Sequence, residues 1–206
     1  MSDIRKGIIL VVSGPAGSGK GTVNRVLRNS GEFEFSVSRT TRKPRPGEVD
    51  GSDYFFVSHE EFDEYLKAGD FLEYNEYCGE CYGTPRSYAE KVVESGENII
   101  LEIDVNGAEQ VKRQCPEAVL VMLLPPSFAE QERRLRDRGT ETEDKILKRL
   151  KQTEKELQRL DLYDYIVYNS TGESDKAVAD IRAIVRAERC SRRRNTDAEI
   201  KYFAKN

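Results

Sequence analysis

Residues 7–12, GIILVV, form an unbroken apolar run rich in β-branched side chains, which predicts a strand buried on both faces. Beyond the glycine-rich stretch that follows, Val23, Val26 and Leu27 recur on one face, so the period changes from strand to helix. FEFSVS at 33–38 alternates apolar with polar positions, and DYFFVS at 53–58 and FLEYNEY at 71–77 are also strand-like, predicting short strands with one wet face. Between the last two, Ser58 and Glu61 make a capping box, Phe62, Tyr65 and Leu66 supply an apolar stripe, and Gly69 ends the helix. From residue 84 onward β and α patterns alternate. A helix over 86–95 stops at Gly96, NIILEID at 98–104 is a strand, a helix covers 106–114, and AVLVMLL at 118–124 is a strand. Helices then start near Ser127 and Thr142, YDYIVYN at 163–169 is a strand, and a last helix covers 174–189. Buried parallel strands joined by crossover helices account for this order, so the fold class is α/β, with no internal repeat and no low-complexity linker.

Composition narrows the classes. A chain of 206 residues is one domain, with or without insertions. Charged residues make up 34%, the longest apolar runs are too short to span a bilayer, and MSDIRKG lacks a signal-peptide core, so a cytoplasmic protein without a membrane partner is expected. The net charge of −4 leaves no overall nucleic-acid footprint. Positive charge is instead local, in RTTRKPR at 39–45, ERRLRDRG at 132–139 and ERCSRRR at 188–194. Asp197 and Glu199 follow Arg192–Arg194 and no stacking platform is visible, which argues against a nucleic-acid partner. Of the cysteines, Cys78 and Cys81 form one C-x-x-C, but no second Cys or His pair stands at metal spacing and His59 is a lone histidine. They read as loop cysteines.

Gly14-x-x-x-x-Gly19-Lys20 has the spacing of a phosphate-binding loop, and the buried strand before it and amphipathic helix after it are the context such a loop needs. Gly14, Pro15, Ala16, Gly17, Ser18, Gly19, Lys20, Gly21 and Thr22 are therefore candidate nucleotide ligands, with Lys20 reaching the β- and γ-phosphates. The general motif has Ser or Thr after the lysine, whereas this chain has Gly21 and then Thr22. GKGT resembles the loops of nucleoside monophosphate kinases, and the departure implies that Mg2+ is held mainly by nucleotide phosphates and water, with Thr22 the nearest hydroxyl.

A second anion site lies in 36–56. Arg42 and Arg45 stand on either side of Pro44, which holds the segment extended so that both guanidinium groups can close on one phosphate, and Tyr54 can add a hydrogen bond. Glu102 and Asp104, two apart on one predicted strand, point to the same face near the switch-point crevice. Asp104 ends that strand as a Walker-B aspartate does, with an outer-sphere magnesium role, an orienting role or a structural one. Ser127 and Glu130 make a second capping box, placing Arg134 and Arg138 on one helix face, with Arg149 on the next helix; on charge alone all three are exposed helix residues.

The pattern S-x-S-x-T-T-R-x-P-R-x-G-E-x-x-G-x-D-Y-x-F at 36–56, with Phe-Leu-Glu at 71–73, Tyr-Gly-Thr at 82–84 and DRGTETE at 137–143, resembles the guanylate kinase family over nearly the whole chain, on to Asn169. The resemblance implies a P-loop nucleoside monophosphate kinase fold: a three-layer parallel-sheet core (about 4–36, 91–126 and 151–190), a small mixed-sheet GMP-binding insertion (about 37–90) and a helical lid (about 127–150). It implies transfer of the ATP γ-phosphoryl group to GMP, and to dGMP, with Mg2+; a homo-oligomer stays open. Arg42, Arg45, Tyr54 and Tyr82 would hold the GMP phosphate. Ser38, Glu73, Thr84 and Glu102, where the family usually has aspartate, would line the guanine pocket, with Asp104 beside them. Lys20 and the lid residues Arg134, Arg138 and Arg149 would be catalytic, and Asn169 would join the loop in holding ATP. A family member that only binds phosphorylated partners would lack the loop lysine or the lid arginines, and a kinase of another monophosphate would lack Ser38, Glu73 and Thr84.

Overall fold

In the computed structural model, which describes residues 6–139, 142–196 and 202, the core is a five-stranded parallel sheet. Its strands are β1 (Ile9–Ser13), β2 (Glu34–Phe35), β7 (Ile99–Glu102), β8 (Val119–Leu124) and β9 (Tyr165–Tyr168), in spatial order β2-β7-β1-β8-β9. Among the described residues seven α-helices accompany them: α1 (Lys20–Asn29), α2 (His59–Lys67), α3 (Arg86–Glu94), α4 (Val105–Gln114), α5 (Phe128–Asp137), α6 (Glu143–Leu157) and α7 (Ser174–Cys190). The two-residue period of β1 divides the core. Ile8, Leu10 and Val12 face Val23 and Leu27 of α1 and Val178 and Ile181 of α7, while Ile9 and Val11 face Ala89 and Val92 of α3 and Ala108 and Val111 of α4. Three layers follow, and the sheet's carboxyl ends carry the glycine loop.

A second sheet of four short strands, in order β4-β3-β6-β5, stands apart: β3 (Arg39–Thr40), β4 (Phe55–Phe56), β5 (Phe71–Tyr77) and β6 (Glu80–Pro85). It is mixed, because β3 runs parallel to β4 but antiparallel to β6. FEFSVS is thus split: Glu34–Phe35 closes the edge of the core sheet against β7, and the chain then leaves for the second sheet. DYFFVS contributes only Phe55–Phe56. The unexpected strand is β6. Cys78 and Gly79 both take positive φ, 55° and 79°, as a two-residue hairpin turn of primed type requires, so Tyr77 pairs with Glu80 and Cys81 lies in a strand rather than a loop.

The Ser58–Glu61 capping box of α2 is present in full. That of α5 is half present: the Ser127 hydroxyl accepts from the Glu130 amide at 3.1 Å, but the Glu130 carboxylate turns to Arg133 and Arg134. Two of the three tail arginines are absorbed by packing. Arg193 and Arg194 donate to the carboxylate of Glu188, at 2.6 and 3.2 Å, and Glu188 is buried on α7 and also accepts from Tyr165. The acidic Asp197 and Glu199 of the tail, Thr140 and Glu141 of DRGTETE, and residues 1–5 lie outside the described residues. Among the described residues no helix is long and apolar enough to cross a membrane.

Candidate active site

The loop after β1 is shaped by what its glycines leave out. A Cβ at Gly14 would sit 2.2 Å from the Leu123 carbonyl oxygen, and one at Gly19, where φ is +90°, would sit 2.2 Å from Asn169 Nδ2. Gly19 offers no side-chain cap, so the first amides of α1 and its positive end are left for an anion. Lys20 opens α1, and its Nζ crosses the loop to donate to the carbonyls of Gly14 and Pro15. Burial pushes the Lys20 pKa down, while Glu102, Glu156 and Asp104 pull it back up. Gly21 and Thr22 are exposed, and a Cβ at Gly21 would meet nothing within 4 Å. The glycine at 21 is thus not a packing requirement.

In the second sheet, β5 and β6 place Glu73 directly beside Thr84. Both are buried, and the Thr84 hydroxyl donates to Glu73 Oε1 at 2.6 Å. Burial, with repulsion from Asp104, raises the Glu73 pKa from 4.5 to about 7. Its other oxygen lies over α4, where a Cβ at Gly107 would come within 3.0 Å of it. Ser38 is half-buried and its carbonyl accepts from the Phe55 amide at 2.9 Å, joining β3 to β4.

Asp104 departs from the expected geometry. β7 ends at Glu102, so the two carboxylates do not share a strand; Asp104 is instead the N-cap of α4, its Oδ1 accepting from the Gly107 amide at 2.9 Å. Glu102 is exposed, level with Val12 in the sheet register and so next to the loop.

The arginine pair is also asymmetric. Arg42 makes a two-pronged ion pair with Glu48, 3.0 and 2.9 Å, and lies 5.4 Å from the ring centre of Tyr54, which meets Tyr82 edge-on. Arg45 is exposed, and its amide donates to the same Glu48 carboxylate at 2.7 Å. Glu48 therefore ties the two arginine positions together, a role the sequence marks only by a carboxylate in a Pro-Gly turn.

On the third side, Arg134 Nη2 donates to the Asn169 carbonyl at 2.8 Å, and Asn169 Nδ2 donates to the Ser18 carbonyl at 2.8 Å. The Asn169 side chain is thus a strut of the loop. Arg138 caps the end of α5 and is exposed, close enough to Lys20 to lower its pKa, and Arg149 is exposed on α6. A cleft of about 400 Å3 is lined by Gly17, Gly19, Thr22, Arg134, Arg138 and Asn169 among others. The arrangement sets the glycine loop and the uncapped start of α1 beside Arg134 and Arg138, with Arg42, Tyr54 and Tyr82 grouped at the second sheet.

The family model described as guanylate kinase matches residues 6–188. The chain is 50% identical over 184 residues to the guanylate kinase of Thermus thermophilus, a match covering 89% of this chain and 83% of that one. To the guanylate kinase of Lactobacillus johnsonii it is 48% identical over 185 residues, covering 89% of this chain and 90% of the relative. The crystal structure of guanylate kinase from Anaplasma phagocytophilum superposes with a TM-score of 0.69 at 34% identity, covering 91% of this chain and 88% of that one. A match of this extent, to the family model and to relatives over most of their length, means that the chain belongs to the guanylate kinase family.

Proposed function

We infer that this chain transfers the γ-phosphoryl group of ATP to GMP, giving ADP and GDP, and that dGMP, with the same base and phosphate, is also used. Family membership supports the ATP:GMP phosphotransferase activity, and the Glu73–Thr84 pair carries the choice of base. Guanine offers adjacent N1–H and N2–H donors that one carboxylate accepts together, whereas adenine offers an acceptor at N1. Ser38 and Glu102 complete the base pocket, and Arg42, Arg45, Tyr54 and Tyr82 take the GMP phosphate. The acceptor is already an anionic oxygen, so no general base is needed; what the reaction needs is a positive field while charge spreads over the transferring group. Lys20 supplies part of it, and Arg134, Arg138 and Arg149 supply the rest as the lid of about 127–150 closes on the core and on the acceptor region of about 37–90.

Among the described residues no group of three or more His, Cys, Asp or Glu could hold a metal ion. Magnesium suits such a site, because it keeps several waters and takes few protein oxygens beside substrate phosphates. Thr22 would hold it directly and Asp104, with one oxygen committed to α4, through water. When bound, the ion neutralises charge on the β- and γ-phosphates. Release of ADP across GMP, dGMP, AMP, UMP and CMP tests the reading: GMP and dGMP should dominate, and equal turnover of AMP would overturn it.

The raised Glu73 pKa gives a pH dependence with a definite sign. Guanine binds the ionised carboxylate, so affinity should rise with pH and level off above about 7, the folded-state value. By the same linkage, the stability of the free protein falls as pH rises from 4.5 to about 7, because over that range the unfolded chain has released this proton while the folded one still holds it. Guanosine as a competitor reads the effect without the titration of the GMP phosphate. Its inhibition constant should worsen about tenfold per unit well below the pKa, and a flat profile would remove Glu73 from the base contact.

A further inference from the structure

Gln131 lies in the charged stretch AEQERRLRD yet is only 1% exposed, and Thr153 on α6 is 2% exposed. The amide nitrogen of Gln131 donates to two acceptors on two other parts of the fold, the Ala16 carbonyl of the phosphate loop at 2.8 Å and the Thr153 hydroxyl at 2.7 Å. The Thr153 hydroxyl in turn donates to the Arg149 carbonyl at 3.1 Å. A continuous hydrogen-bonded chain, buried at the Gln131–Thr153 link, thus runs from the loop backbone through α5 to the backbone of Arg149. Gln131 stands one turn before Arg134 on α5 and the chain ends on the backbone of Arg149 on α6, so the two helices that carry these arginines are bonded to each other and to the loop.

The neighbours explain why polar groups are used. Leu135, Ile146 and Leu150 pack together against Ala16, and apolar contact of that kind holds α5, α6 and the loop close without fixing their register. Directional bonds in a dry interior do fix it. Gly17 leaves the room, since a Cβ there would press on Gln131 at 3.3 Å.

We propose that Gln131 and Thr153 are positioning residues for phosphoryl transfer: they anchor the roots of α5 and α6 to the phosphate loop and so set Arg134 and Arg149 over the transferring group. The proposal rests on the lid reading above. Neither side chain is assigned to substrate.

Thr153→Val and Gln131→Leu keep volume while removing the bonds. Each should lower kcat about tenfold, the scale of a small misplacement of a reacting array, with KM for GMP within about twofold. The double variant should be no slower than the worse single one, because the two act through one shared nitrogen. Thr153→Ser, which restores the hydroxyl, should recover kcat to within about twofold. Unchanged kcat in both single variants, additive losses, or failure of serine to rescue would overturn the proposal. If Gln131→Leu fails to fold, the Val and Ser pair at 153 decides alone. Arg149→Ala separates the two readings: a slow Arg149→Ala beside a fully active Thr153→Val sinks the anchor only, and a fully active Arg149→Ala sinks the lid reading with it.

Discussion

Alanine at Lys20 is expected to lower kcat for GMP phosphorylation by about two to three orders of magnitude, the usual cost of removing one preorganised charge from a transfer site. The ammonium sits at the mouth of the glycine loop, facing Glu102, Asp104 and Glu156, and it is the one cation that α1 itself contributes there. Two effects oppose each other in stability. Removal relieves the desolvation that dominates the lowered Lys20 pKa, but takes away the positive charge that Glu102, Glu156 and Asp104 act on. Because desolvation is the larger of these, the melting temperature should stay within a few degrees. GMP affinity, measured by calorimetry, should stay within about twofold, since most of the contacts proposed for the acceptor lie in the region of about 37–90 and none is made by Lys20. A variant that loses GMP affinity in proportion to kcat would mean that Lys20 holds the acceptor rather than the donor phosphates.

The elements that were legible in the sequence are those whose local signal is also their tertiary role. β1, β7 and β8 are continuous apolar runs because helices cover both sheet faces, and α2 is announced by a capping box that the fold retains. β6 was hidden because ECYGTP has no alternation: Gly83 is needed where a Cβ would strike Phe71 at 2.6 Å, and Thr84 is polar because it answers Glu73. Asp104 stands two residues beyond the end of β7, a place the sequence leaves ambiguous, since a carboxylate after an apolar strand reads equally as a strand end or as the cap of the next helix. Glu48 and Gln131 belong to a third kind. Each lies in a polar stretch, and only its partner across the fold gives it a role; for Gln131 the one local hint is its place four residues before Leu135, on the buried face of α5.

The choice of base gives the other large effect. In the proposed complex the two Glu73 oxygens accept the two guanine donors together, Oε1 alongside the bond it takes from Thr84, and the carboxylate is buried where an unmatched partner cannot be rescued by water. Glu73→Gln keeps the shape and an acceptor for Thr84 but replaces the other oxygen by an amide that opposes the guanine donors. GMP should lose about 2–4 kcal/mol of transfer efficiency, the scale of a broken buried charge-assisted pair. AMP, whose N1 is an acceptor, should lose little or gain. The variant should also lose the pH dependence of guanosine inhibition, since the group that titrates at about 7 is gone. Removing the buried carboxylate should stabilise the free protein at pH 8, where Glu73 is ionised, relative to pH 5, where it is not. The decisive quantity is the ratio of kcat/KM for GMP to that for AMP. A fall of about thirtyfold or more in that ratio, with melting temperature retained, assigns the discrimination to Glu73. A constant ratio with both rates reduced would make Glu73 a structural partner of Thr84 and leave Ser38 and Glu102 to choose the base.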